Sequence, residues 1–257
     1  MPIRVLVNRV AGLGWMTTQM KFEEIEEANG QLQGASPFEV LRWAVDRIHP
    51  RLLMATAFGA EGCCIIHMLA EIEPDTKIIN LETGYQFPET LELRERIKDR
   101  YGIEVEYIRP EQTVAEYEDE HGGPLHGHRP DQCCLDRKIL PLRVAMKRLD
   151  PLAWISAIRK DQTTDRGQAD VVLWDAKFSV VKVNPLLNWT KKDVWAFVMK
   201  HDVLYNPLHD QNYPSIGCWP CTWAVMPGED DRAGRWAGQV KKECGLHVVE
   251  HKDGSGI

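Results

Sequence analysis

The chain has 257 residues, of which 27% are charged and 44% hydrophobic, and its formal net charge is −7. That length suits one large domain, or one domain with a tail, and leaves ample chain for a core. The acidic balance argues against broad nucleic-acid binding, and no apolar run approaches the roughly 20 residues that a membrane helix needs.

Residues 1–35 read as an N-terminal extension poorly attached to the fold, with Arg4 and Arg9 interrupting any signal-like apolar stretch. Ser36 then caps a helix with Pro37 at its first position, running to Ile48 with Phe38, Leu41, Val45 and Ile48 on one face. Residues 52–58 read as a buried strand, and the turn Gly59-Ala60-Glu61-Gly62 leads into a helix over 63–71. A second strand is expected over 77–81, broken by Thr83-Gly84, and Pro88 opens a helix to Arg100. Residues 103–108 make a third strand, and 135–149 a helix kinked or restarted at Pro141. Strands over 152–158 and 178–183 complete the set, and Thr190 caps a helix over 194–199. Beyond Met226 the chain turns polar and Gly-rich, so 227–257 reads as a mobile tail on a domain of 36–226. The alternation predicts an α/β fold, a mostly parallel sheet with helices on both faces. Ligands in such sheets bind beyond the carboxyl ends of the strands, here at 59–62, 81–84 and Arg159-Lys160.

Seven cysteines and no export signal point to a reducing compartment, the cytoplasm, where paired cysteines are metal-binding or catalytic more often than disulfide-bonded. Cys133-Cys134 and Cys218-Trp219-Pro220-Cys221 together offer four thiolates for one tetrahedral metal or iron–sulfur site. Consecutive helical side chains diverge by ~100°, so a wide four-iron cluster accepts the adjacent pair more easily than a single zinc ion does. Lys138, four residues after Cys134, would face such a cluster. Cys244 stands between Lys241-Lys242 and His247, a basic context that favours the nucleophilic thiolate. Arg232 and Arg235 lie three apart and suit phosphate or sulfate, or surface ion pairs with Glu229, Asp230 and Asp231. Cys63 and Cys64, in an apolar stretch, read as core.

These motifs resemble the assimilatory adenylylsulfate reductases, the iron–sulfur branch of the PAPS reductase family. The resemblance rests on Cys-Cys-Leu-Asp-Arg-Lys (133–138), Gly-Cys-Trp-Pro-Cys-Thr (217–222), Glu-Cys-Gly-Leu-His (243–247) and Leu-Glu-Thr-Gly-Tyr-Gln-Phe-Pro-Glu-Thr (81–90). It implies an adenine-nucleotide alpha-hydrolase-like fold and a [4Fe–4S] cluster on Cys133, Cys134, Cys218 and Cys221. It implies further that Cys244 attacks the sulfur of adenosine 5′-phosphosulfate, releasing AMP, and that thioredoxin or a similar dithiol then frees sulfite. Lys138, Arg159, Arg232, Arg235 and His247 match positions around the phosphosulfate and the nucleophile. Thr56, Gly59, Leu81 and Thr83 match the nucleotide-binding strand ends. The chain departs from many relatives at Phe58, where they carry serine before the glycine; Thr56 is the nearest replacement hydroxyl.

Three other readings compete. One is a reductase of the 3′-phosphorylated substrate, or of both; another is a zinc-stabilised nucleotide-binding module without redox turnover. An ATP pyrophosphatase would want a Ser-Gly-Gly-x-Asp-Ser loop, of which residues 57–62 are a poor version. Neither nucleic acid nor membrane is expected as a partner, and self-assembly into a homo-oligomer is left open.

Overall fold

The structure, a computed structural model, describes residues 20–241 and Leu246. Six strands form one sheet in the order β3-β2-β1-β4-β6-β5, with β1 Leu52–Thr56, β2 Lys77–Leu81, β3 Val105–Ile108, β4 Ala153–Ile155, β5 Val172–Asp175 and β6 Val180–Val183. All pairings are parallel except β5 with β6. The helices are α1 Phe22–Leu32, α2 Pro37–Ile48, α3 Ala60–Ile72, α4 Pro88–Tyr101, α5 Val114–His121, α6 Pro130–Cys134, α7 Leu140–Leu149, α8 Thr164–Gly167 and α9 Lys191–His201. Among the described residues no helix is long and apolar enough to cross a membrane.

Period-two alternation divides the strands between two cores. Leu52, Met54, Ile78, Val105, Ile155 and Val183 point to the side packed by α2, α3 and α9. Leu53, Ile79, Trp154 and Val180 point to the other, where Leu142, Ala145 and Met146 of α7 cover them. The expected parallel sheet with helices on both faces is therefore present.

Several boundaries differ from expectation for local reasons. The strand expected over 52–58 ends at Thr56 because Phe58 takes a left-handed φ of 55°, its N–H held by Thr56 Oγ1 at 3.0 Å. Residues 20–35, expected within a poorly attached extension, carry α1, whose Ile25, Ala28 and Leu32 are buried. Its Asn29 Oδ1 accepts the N–H groups of Val171 and Val172 at 3.0 and 3.3 Å and so tethers the edge strand β5, which the sequence did not announce. The break at Pro141 lies earlier: residues Leu135–Ile139 form a π-helical turn between α6 and α7. Proline removes the N–H that residue 137 would accept and crowds its carbonyl, and a widened turn absorbs both effects. The segment expected as a mobile tail is folded onto the body as far as Lys241, with Trp236 only 2% exposed.

Candidate active site

The four paired cysteines meet at one hollow, lined by Cys133, Cys134, Cys218 and Cys221 with Thr83, Tyr85, Arg137, Lys138, Arg235 and Trp236 among its walls. Two distant segments build it. Cys133 and Cys134 end α6, immediately before the π turn that re-aims the helix. The Cys218–Cys221 turn hangs from its neighbours by main-chain bonds: Trp219 N–H donates to Tyr85 O at 2.8 Å, Cys221 N–H to Cys218 O at 3.0 Å and Trp236 N–H to Cys221 O at 3.1 Å. Thr83 Oγ1 lies 3.3 Å from Cys218 Sγ. Sequence matching grouped Thr83 with the nucleotide-binding strand ends; its side chain instead lines the cysteine hollow, because the chain has turned beyond β2 before reaching it.

Arg137, only 3% exposed, ties the cysteine-bearing helix to the loops after β2 and before α5. Its Nε donates to Thr83 O at 2.6 Å, and its Nη2 to Gln112 O at 3.3 Å. The guanidinium also lies over the Tyr85 and Tyr117 rings, 5.5 and 5.0 Å from their centroids. The sequence did not single out this residue: a basic side chain in a helix gives no hint that its acceptors lie 54 and 25 residues away.

Burial pushes the Cys133 thiol up to about 12, reinforced by the nearness of Cys134, Cys218 and Cys221, while Lys138 pulls the other way. Cys221 rises to about 11 by burial and by Cys218 and Cys134, opposed by Lys138 and Arg235. Cys133 and Cys221 therefore feel neighbouring sulfurs across one small space, with Lys138 as a nearby cation. Among the described residues no three ligand-type side chains are gathered closely enough for a single metal ion. By contrast Cys63 and Cys64 are buried in the core, 2% and 0% exposed, with their thiols raised by desolvation.

Beside the hollow lies an open cavity beyond the carboxyl ends of β1, β2 and β4. Thr56, Gly59, Leu81, Lys138, Arg159, Arg232 and Arg235 all line it, so seven of the expected substrate residues share one space. Lys138, Cys218 and Arg235 line both the cavity and the hollow. Arg235 stacks on Trp236 at 4.5 Å and donates from Nη1 to Ser215 Oγ and Ile216 O, each at 3.3 Å. Its guanidinium passes directly over Gly217, where a Cβ would overlap it. Arg159 is engaged by two carboxylates, Glu61 through Nη1 and Asp161 through Nε at 2.8 Å. Arg166, Lys191, Asn80 and Ser156 are further lining residues that the sequence did not single out. Cys244 and His247 lie outside the described residues; Leu246, between them in the chain, lines the cavity.

Comparison with known proteins agrees with this geometry. The sequence pattern described as "Phosphoadenosine phosphosulfate reductase domain" matches residues 51–224. The chain is 40% identical over 243 residues to the adenosine 5′-phosphosulfate reductase of Shouchella clausii, covering 94% of this chain and 100% of that one. It is 42% identical over 227 residues to the phosphoadenosine 5′-phosphosulfate reductase of Gloeobacter violaceus, covering 87% and 93%. The crystal structure of phosphoadenylyl-sulfate (PAPS) reductase from Candida auris, a phosphate complex, superposes with a TM-score of 0.72 at 31% identity, covering 81% of this chain and 99% of that one. A family pattern matched over residues 51–224, and relatives 40% and 42% identical over most of both chains, show that this chain belongs to the phosphoadenosine phosphosulfate reductase domain family.

Proposed function

We propose that the chain reduces adenosine 5′-phosphosulfate to sulfite and AMP in assimilatory sulfate reduction, with Cys244 as nucleophile and a thioredoxin-like dithiol as electron donor. The observation that carries the reading is the shared wall: Lys138 and Arg235 face both the cysteine hollow and the cavity. An anion held by these cations therefore lies against the cysteine set.

The hollow suits a [4Fe–4S] cluster held by Cys133, Cys134, Cys218 and Cys221. Its donors are four soft sulfurs that line one small space. When bound, the cluster would supply a fixed charge and a crosslink between two chain segments, since thiol chemistry already accounts for both electrons.

The remaining steps belong to the chain. Lys138, Arg232, Arg235 and His247 hold the phosphosulfate, while Thr56, Gly59 and Leu81 line the nucleoside side and Thr83 orders the Cys218 turn. Arg159 stays tied to its carboxylates and shapes the wall. The Cys244 thiolate attacks sulfur, the bond from sulfur to the bridging oxygen breaks, and AMP leaves with the electron pair. Cations beside the leaving phosphate stabilise its growing charge. One thiolate of the donor then attacks Cys244 Sγ and expels sulfite with an electron pair. Its second thiol then attacks the mixed disulfide so formed, releasing the Cys244 thiolate and closing the donor's own disulfide, which balances the two-electron reduction. Residues 36–226 serve as the nucleotide-binding domain, and 227–257 as the arm that brings Cys244 to the sulfur; Leu246 at the cavity wall supports that delivery. The cytoplasm, which keeps such thiols reduced, is the compartment this chemistry requires.

The relatives named for the 3′-phosphorylated substrate support a second reading, in which that nucleotide is also reduced. Sulfite release from each sulfonucleotide with thioredoxin present decides between them. The expected result is a higher kcat/KM for adenosine 5′-phosphosulfate. A preference for the 3′-phosphorylated form overturns the first reading, and equal ratios establish dual use.

A further inference from the structure

The segment that leads to Cys244 is fastened to the body at Lys241. Lys241 Nζ pairs with Asp131 Oδ1, in the first turn of α6 and two residues before Cys133. The Lys241 side chain is only 5% exposed although its carboxylate partner is 85% exposed, so the stem is covered while the ammonium reaches an anion at the surface. The Trp236 ring, itself 2% exposed, lies against it, with Lys241 Nζ 5.5 Å and the Arg235 guanidinium 4.5 Å from the ring centroid. Two further bonds lead into this fastening. Gln239 N–H donates to Trp236 O at 2.9 Å, and Gln239 Nε2 donates to His126 O at 3.3 Å.

What an ion pair at this place does is geometric. Cys244 follows Lys241 by three residues, and three residues of chain reach about 10 Å at most. Leu246, which lines the cavity, is two residues beyond Cys244 and so within about 7 Å of it. Both bounds follow from chain length alone, whatever path the residues between take. Releasing Lys241 moves the near point of attachment back to Gln239 or Trp236, five and eight residues from Cys244. We propose that Lys241, held by Asp131 against Trp236, is a positioning residue that fixes the point from which the chain reaches toward the cavity and so concentrates the Cys244 thiol at the sulfur to be attacked. This rests on the reading of Cys244 as nucleophile given above. The effective concentration of a tethered group falls roughly as the −3/2 power of tether length, so going from three residues to five or eight lowers it about two- to fourfold. Neither Lys241 nor Asp131 lines the cavity or the cysteine hollow, so the pair acts on delivery and not on substrate binding.

The test follows a single turnover of the full chain with saturating adenosine 5′-phosphosulfate and no dithiol. Sulfonate on the Cys244 peptide and released AMP are measured against time, and the dissociation constant of AMP is measured by calorimetry. Asp131→Asn and Lys241→Gln should each slow sulfonate formation about two- to fourfold while leaving AMP affinity unchanged. The double variant should be no slower than either single one, because the two side chains act as one pair. Lys241→Arg, which keeps the charge, should recover most of the rate lost in Lys241→Gln. Unchanged rates in both single variants, or losses that multiply in the double variant, overturn the latch alone. A slowing matched by an equal loss of AMP affinity also overturns it, since the pair would then serve binding. A wild-type chain that releases AMP with no sulfonate on Cys244 overturns the nucleophile reading, and the latch with it.

Discussion

Cys133 and Cys134 are consecutive, and a regular helix would turn their side chains about 100° apart. The π turn over Leu135–Ile139 begins at the very next residue. Such single-turn widenings recur at functional sites because they change where neighbouring side chains aim. The two cysteine pairs and Lys138 were legible as motifs, since their chemistry is carried by residue type and spacing. Arg137 and Glu61 were not, because their roles exist only through partners at Thr83 and Arg159. If the four cysteines hold a cluster, Cys133→Ser and Cys218→Ser should each lose iron, acid-labile sulfide and soluble yield together, because ligand loss also removes folding energy. Protein prepared without air and analysed for iron, sulfide and zinc checks this. Stoichiometric zinc without sulfide in the wild type would instead support a zinc-stabilised module.

At the scale of elements, the strands and capped helices that carry the sheet were readable from periodicity and caps. Ser36 and Thr190 do cap α2 and α9, accepting from Glu39 and Asp193 N–H. The hairpin from β5 to β6 was hidden because its turn holds no glycine or asparagine; Ser179 supplies the left-handed residue, at φ 54°. α1 did carry a signal, with Ile25, Ala28 and Leu32 spaced along one face. Burying Ile25 and Leu32 is worth about 1.5–3 kcal/mol each. Deleting residues 1–33 should therefore lower stability by several kcal/mol in urea titration, while also exposing the β5 edge that Asn29 now tethers. Unchanged stability would mean that α1 is detached in solution. The strap from Asp230 to Lys241 offers a sharper test. Gly217→Ala should cost about 1–3 kcal/mol, because its Cβ overlaps the Arg235 guanidinium. Adding Arg235→Ala should recover part of that loss in thermal melting. A double variant less stable than Gly217→Ala would show that the overlap is not the cause.

For the whole molecule, the sheet delivers three strand ends to one cavity, α6 and the Cys218 turn wall it off with thiols, and the strap closes the border with Arg235. How these parts combine was legible only in outline. Sequence order says nothing of which loops share a wall, so the meeting of Glu61 in α3 with Arg159 had no signature. The central claim is that one cysteine outside the cluster set takes the sulfonate. Cys63 and Cys64 cannot compete readily, since burial pushes the Cys63 thiol up to about 12 and Cys64 still higher, leaving both protonated at neutral pH. The most direct measurement is peptide mass analysis of wild-type protein incubated with adenosine 5′-phosphosulfate and no dithiol. The account predicts one sulfonate, on the peptide containing Cys244, formed in step with AMP and removed as sulfite when thioredoxin is added. AMP formation without that adduct, or an adduct on Cys63, Cys64 or a cysteine of the paired motifs, would contradict it.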